Sequence, residues 1–440
     1  MSSAAVAELG AGFTLAHAPA PARPQPLLTR WAARVDPGNV LPEYPRPQMV
    51  RLRWQNLNGT WEIALLDRSA DSVPTGQVLP ERILVPFPVE SVLSGVGRHA
   101  PHLVYRRTFA APELGDGERL LLHFGAVDWR ARVWMNGRLL TEHTGGFDAF
   151  TVDVTDALQA GEQELVVAVD DPTDGFGQPR GKQSTRPHPI FYTPVSGIWQ
   201  TVWLEPVPAA SIASLRMTPD VAGEALVLTV RGRGAEGGAV EAVARAEGRE
   251  VGRARGTVGS EMRVPVPAPR LWGPDDPFLY DLRVTLLDGG REVDAVDSYF
   301  GMRTVGLARD ERGFTRVALN GEPWFHVGPL DQGWWPDGLY TAPTDEALRF
   351  DVEQTRALGF GFTRKHIKVE PARWYHHADR LGLPVWQDMP CGWNDTPEAR
   401  GHFARELAAM MDGLHNHPSV IVWVPFNEKW GQWSDEGTRV

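Results

Sequence analysis

The chain has 440 residues, a length that accommodates two to four domains. With 42% hydrophobic and 22% charged residues it can bury substantial cores and is not a disordered chain. A net charge of −11 disfavours nucleic acid and anionic membrane as partners, and a single cysteine, Cys391, excludes an internal disulfide and a thiolate zinc site.

The first residues carry no Lys or Arg before Arg23, and Glu8 interrupts the apolar ones. That is not the pattern of a signal peptide, no later run is long enough for a membrane helix, and a cytoplasmic protein is the expectation. Residues 18–27 alternate Pro with small residues, which marks residues 1–49 as a loose lead-in.

Residues 50–207 read as short strands between turn signals. Thr60–Leu65, Leu103–Phe109, Leu120–Val127, Glu164–Val169 and Gly197–Leu204 are strand-like, and Arg132–Leu140 is a hairpin about Asn136-Gly137. Strands at this spacing without helices imply a β-sandwich or jelly roll. Residues 208–303 repeat the theme in Ala225–Val230, Met262–Val266 and Tyr280–Leu286, which fits an immunoglobulin-like sandwich. Pro265, Pro267 and Pro269 mark an edge strand or its exit.

From residue 304 the period changes. Trp324–Gly328, Phe360–His366, Leu383–Asp388 and Val420–Phe426 are apolar strand-like runs. Helices lie between them. Thr344 caps one whose apolar face is Leu348, Val352 and Leu358. Pro371 opens the second, and Gly382 stops it. Thr396-Pro397 starts the third, with Phe403, Leu407, Met410 and Leu414 inward. Four β-α repeats are the signature of a parallel barrel, but closure takes eight units and about 250 residues. The expected class is therefore β plus α/β: two sandwiches, then the first half of a (β/α)8 barrel at 304–440, with two open edges.

Nine of the 17 tryptophans lie from Trp324 onward, and two polar-aromatic clusters, Gln332–Pro336 and Asn427–Trp430, follow strand ends. Aromatic rings beside carboxylates suit sugars, whose C–H faces stack on indoles while their hydroxyls bond polar groups. In parallel barrels the working residues sit at the strands' C-terminal ends. That rule gathers Arg364, His366, Asp388 and Glu428 around one mouth. It assigns His415 and His417, at the opposite end of the last strand, to stability. His376 and His377 read as surface residues, and no spacing suits a metal.

The residues resemble glycoside hydrolase family 2, the β-galactosidase, β-glucuronidase and β-mannosidase family. The likeness rests on Leu57-Asn58-Gly59-Thr60-Trp61, Val85–Ser91, Tyr105-Arg106-Arg107, Phe124–Asp128, Gly145-Gly146-Phe147, Pro194–Gln200, Tyr299–Arg303, Leu330–Gly333, Arg364-Lys365-His366 and the stretch ending in Asn427-Glu428. It implies a jelly-roll domain over 50–207, an immunoglobulin-like domain over 208–303 and a catalytic barrel, truncated here. It implies a retaining mechanism with two carboxylates about 5 Å apart. Glu428 matches the general acid/base, Asn427 the residue that bonds the sugar 2-hydroxyl, and Arg364 an arginine that supports the carboxylates. The expected substrate-binding set is Asn427, Arg364, His366, Asp331, Trp335, Asp388 and Trp430.

The family's nucleophile is a glutamate on a later strand that this chain does not reach, so the chain alone is expected to be weak or inactive. Asp388 is a poor substitute, because a neighbouring strand end does not place a carboxylate on the opposite face of the sugar. Two departures stand out: Gly361 where the pattern has Asn, and Lys429 where Gly is common. A lysine at 429 that faced Glu428 would favour its charged form, against the needs of an acid. No cofactor is expected, and a bound cation stays open. The expected partner is a β-glycoside carbohydrate, with a homo-oligomer or a completing chain as a further expectation. The rival readings are a non-catalytic carbohydrate-binding protein and a half-barrel completed by another chain.

Overall fold

Asn136 and Gly137 both adopt left-handed backbone, with φ of 50° and 79°, and join strands Arg130–Met135 and Arg138–Thr144. Two such residues in a row give the turn whose twist matches a hairpin, so the Asn-Gly expectation holds at its stated place. The computed structural model describes residues 26–70, 75–175, 177–432 and 435.

The first body packs a four-stranded sheet, with strand order 55–56, 202–208, 118–124, 150–153, against a six-stranded sheet of order 81–85, 59–66, 102–110, 162–170, 130–135, 138–144. Alternate residues of both sheets meet in one core that includes Trp61, Ile63, Tyr105, Leu120, Leu122, Val133, Leu165 and Val167. Gly197–Leu204 is not one strand: Gly197–Ile198 pairs with Val127–Asp128, and the chain re-enters a sheet only at Val202. Buried Trp199 interrupts it, its indole N–H donating to the Gly146 carbonyl at 2.8 Å.

The second body is a three-stranded sheet facing a four-stranded one over Leu226, Leu228, Val240, Ala242, Leu282 and Val284. Glu261–Pro265 is the edge strand that its prolines predict, since its free side needs no N–H donor.

The third body is a parallel sheet of β1 (Leu330–Asp331), β2 (Thr363–Lys365), β3 (Val385–Asp388) and β4 (Val420–Val424), in that order. Helices α1 (Asp345–Ala357), α2 (Ala372–Leu381) and α3 (Pro397–Leu414) connect them. Thr344 and Thr396 cap α1 and α3 through side-chain oxygens that accept from Ala347 and Ala399, and Gly382 ends α2 in left-handed backbone. The first strand is Leu330–Asp331 rather than Trp324–Gly328, which forms no ladder. Leu358 caps α1 and is 72% exposed, so it does not join the inner face of Leu348 and Val352. Among the described residues no helix is long and apolar enough to cross a membrane.

Residues 26–49 are not loose. Thr29 bonds the Asp337 carboxylate through its amide at 2.8 Å and its hydroxyl at 2.6 Å, and Trp31 packs edge-on against Trp335. This lead-in is tied to the helix layer because its Trp31 finds an apolar site there; residues 1–25 lie outside the described residues. At the N-terminal end of the sheet Asp379 accepts from Tyr299, the Ser419 amide and the His417 ring at 2.8, 2.9 and 2.6 Å. Arg303 donates to the Pro418 and Val420 carbonyls. These bonds lock the parallel sheet to the second body and place His417 in a structural tie.

Candidate active site

Side chains alternate along β2, so Arg364 and His366 face one way and Lys365 the other. On the first face Arg364 forks onto Asp388, with Nε to Oδ1 at 2.9 Å and Nη2 to Oδ2 at 2.7 Å. The same Nη2 donates to Asn427 Oδ1 at 3.0 Å, and His366 Nδ1 meets Asp388 Oδ2 at 3.0 Å. Asp388 is fully buried, so this paired charge is held in place by three donors. Three strand ends, β2, β3 and β4, thus converge on one network.

The network orients Asn427. With its oxygen fixed by Arg364, its Nδ2 is buried and has no partner among the described residues. A buried amide N–H without a partner costs about 1–3 kcal/mol, so this donor is open to an acceptor. Glu428 follows and is exposed at the same mouth. Glu428 and Lys429 have φ of 49° and 63°, the centre of a turn closed by Trp430 N–H to Asn427 O at 2.7 Å. Such backbone costs an L-residue roughly 1–2 kcal/mol and Gly far less, which gives the departure at Lys429 a physical meaning.

Lys182, in a loop of the first body, is close enough to Glu428 for their charges to interact. Burial pulls its ammonium below the usual lysine range, while the Glu428 carboxylate opposes that pull. Arg180 and Gly181 amides both donate to Cys391 O at 3.1 Å, laying this loop over the end of β3. Gly181 has φ of 62°, and a Cβ there would stand 2.5 Å from Ile367 O, so only glycine permits the approach. Burial pushes the Cys391 thiol up to about 11, which leaves it inert.

The opposite face of β2 carries a second network that the sequence pattern does not announce. Lys365 Nζ donates to Asp331 Oδ2 at 2.5 Å and Glu370 Oε1 at 2.9 Å, and lies 4.2 Å from the Trp374 ring centre. Lys368 Nζ bonds Glu370 and the carbonyls of Gly333 and Tyr340. Burial alone would lower Lys365, but the two carboxylates hold it above its ordinary value; Lys368 is lowered by burial. Asp331 is expected at the mouth, yet it is the partner of Lys365, whose charge overrides burial and keeps it below the usual range. The alternation of Arg364, Lys365 and His366 was the one signal for this second network.

The expected aromatic residues separate. Trp335 is 8% exposed in the core of the helix layer beside Trp31, so it is a packing residue and not a sugar platform. A short antiparallel bridge to Leu339 turns its ring inward. Trp430 is half-buried at the mouth, stacked on Phe191. His377 is not a surface residue: it is buried, with Nε2 at 3.1 Å from Asp345. Among the described residues no cluster of His, Cys, Asp and Glu is arranged to hold a metal ion.

Comparison with known proteins shows what the chain is similar to. Residues 97–196 match the family model described as glycosyl hydrolase 2 galactose-binding domain-like, and residues 210–303 match that of glycosyl hydrolases family 2. A protein of Formosa agariphila named putative beta-glucuronidase is 26% identical over 353 residues, covering 74% of this chain and 39% of the relative. A beta-galactosidase of Thermoanaerobacter pseudethanolicus is 27% identical, covering 74% and 44%, and a beta-mannosidase B of Aspergillus terreus is 29% identical, covering 76% and 44%. The chain therefore spans less than half the length of these three relatives. A solved structure of b-glucuronidase from Ruminococcus gnavus in complex with D-glucuronic acid shares the fold, with a TM-score of 0.74 at 21% identity over 88% of this chain and 69% of that one. The two matched family models, in chain order, and relatives named beta-glucuronidase, beta-galactosidase and beta-mannosidase agree with the motifs of the sequence: the chain is similar to glycoside hydrolase family 2.

Proposed function

We propose that the chain forms the acid/base half of a retaining β-glycosidase site. In this reading the first two bodies are the jelly-roll and immunoglobulin-like domains, and the parallel sheet is the first half of a (β/α)8 barrel. Glu428 protonates the leaving oxygen and later takes a proton from the attacking water, while Asn427 Nδ2 donates to the sugar 2-hydroxyl. The relatives named beta-glucuronidase, beta-galactosidase and beta-mannosidase support the reaction class without choosing the sugar.

The observation that carries the reading is the chain Asp388–Arg364–Asn427, which leaves one buried amide donor unsatisfied beside an exposed Glu428. Asp388 does not serve as nucleophile here, because Arg364 and His366 occupy both its oxygens and it is fully buried. In this reading the nucleophile is a carboxylate other than Asp388. In the sheet order β1 and β4 have free edges among the described residues, and Leu330 on β1 is 49% exposed, which leaves room for further strands.

The test is hydrolysis of 4-nitrophenyl β-glucuronide, β-galactoside and β-mannoside by the protein purified from its native source. One of the three should be cleaved with retention at the anomeric carbon. Inversion, or full activity in Glu428→Gln, contradicts the assignment.

A further inference from the structure

Three aromatic rings from three separate segments meet beside Glu428. Phe191 and Trp430 stack with centres 5.3 Å apart and planes 15° apart, and Trp393 lies near-parallel to Trp430 at 6.3 Å and 17°. Trp393 is 39% exposed, and Phe191 and Trp430 are half-buried, so the cluster is a ledge rather than a sealed core. Two cations border it. Arg180 stands 5.3 Å from the Phe191 centre and 5.9 Å from Trp393, and Lys182 Nζ stands 5.0 Å from Trp430 and 5.5 Å from Phe191.

The two cations differ in their partners. Arg180 donates to the Gln183 carbonyl at 2.6 Å and lies 3.7 Å from the Asp174 carboxylate. Lys182 has no hydrogen-bond or ion-pair partner among the described residues; the Glu428 charge acts on it only at longer range. A ledge whose sole work was to fasten the 180–192 loop to the sheet has no need of a half-desolvated ammonium, because the Arg180 and Gly181 amides already fasten it to Cys391 O. An ammonium over aromatic faces next to an acid that must be neutral to donate its proton is a seat for an anion.

We propose that Phe191, Trp393 and Trp430 form the subsite for the leaving group, and that Lys182 selects leaving groups whose ring carries an anionic substituent, a carboxylate or a sulfate ester. This rests on the reading of Glu428 as the acid/base, since that residue defines which side of the bond the ledge faces. The rings take the apolar face of the leaving sugar, and Lys182 meets the charge at its edge.

Binding to the purified chain tests the proposal without turnover. The probes are a β-linked disaccharide whose reducing ring carries a carboxylate and its neutral hexose counterpart, titrated by tryptophan fluorescence at low and high salt. The acidic disaccharide should bind about tenfold more tightly, with the difference shrinking at high salt. Lys182→Met should bring the two affinities together, and Trp393→Ala should weaken both. Glu428→Gln should keep the preference, so a failure of hydrolysis and a failure of this subsite are separate results. Equal affinities, no binding of either probe, or a preference that survives Lys182→Met overturns the proposal. Lower thermal stability in Lys182→Met with unchanged discrimination would show a loop fastener and also overturn it.

Discussion

Arg364 and Asp388 are joined by two near-parallel hydrogen bonds of 2.9 and 2.7 Å, and this fork aligns the ends of β2 and β3. The arginine's remaining reach goes to Asn427, so one planar group fixes the geometry of three strand ends. A lysine offers a single point of charge and no fork. Arg364→Lys should therefore keep the fold, lower kcat/KM at least tenfold in the active protein, and loosen Asn427. Unchanged kinetics with an intact fold would show that the fork does not position the site.

The buried lysines predict a stability effect of a different kind. Lys365 is fully buried between Asp331 and Glu370. Lys365→Met leaves Asp331 without its cation and Glu370 with Lys368 alone, a change that costs about 3–5 kcal/mol. Denaturant unfolding should show that loss. The double change Lys365→Met with Asp331→Asn should recover part of it, because one stranded charge is gone.

Glu406 gives the protein a pH dependence. It is 3% exposed on α3, and burial, with the Asp148 charge adding to it, pushes its carboxyl up to about 8. Folded protein thus holds a proton that the unfolded chain releases near 4.5. Between about 4.5 and about 8 the folded state binds more protons, so its stability falls as pH rises, and levels off above that window. Glu406→Gln should flatten this slope and raise Tm at pH 8.5. At pH 5 it should give no gain, because the neutral acid already accepts from Trp129 and the Gly146 amide.

Trp335 and Trp430 should separate packing from binding. Trp335→Ala opens a cavity between Trp31 and the helix layer and should cost about 3–5 kcal/mol of stability, with saccharide affinity unchanged. Trp430→Ala should do the reverse, weakening binding with a smaller stability loss, because it is only half-buried at the mouth.

Residues 1–440 assayed alone should show no turnover of aryl β-glycosides, since both oxygens of Asp388, the carboxylate on the neighbouring strand end, are engaged. Turnover by this chain that disappears in Glu428→Gln would place the nucleophile within it.

Much of the fold was legible because local chemistry and burial pointed the same way. Asn136-Gly137 has the one backbone that its hairpin needs, and Thr344, Thr396 and Gly382 bound their helices where capping predicts. Trp324–Gly328 has strand composition and single backbone bonds to Val317 and Gly361 but no continuous ladder, so pairing decided against it. Trp335 and Asp331 sit in loop or strand-end positions that suit a site equally well, and only three-dimensional partners, Trp31 and Lys365, reveal their roles. Lys182 was out of reach of any pattern, because it approaches Glu428 from a loop some 240 positions earlier that Gly181 allows onto the sheet.

Everything proposed for the mouth depends on Glu428 acting as the acid/base of a retaining site. The most direct measurement is azide rescue of Glu428→Ala in the protein from its native source, with an activated aryl β-glycoside. Turnover should be slow and accelerated by azide, with a β-glycosyl azide of retained configuration as product, because the small anion enters the space the carboxylate leaves. Absence of any glycosyl azide, with hydrolysis of unactivated glycosides undiminished, would contradict it.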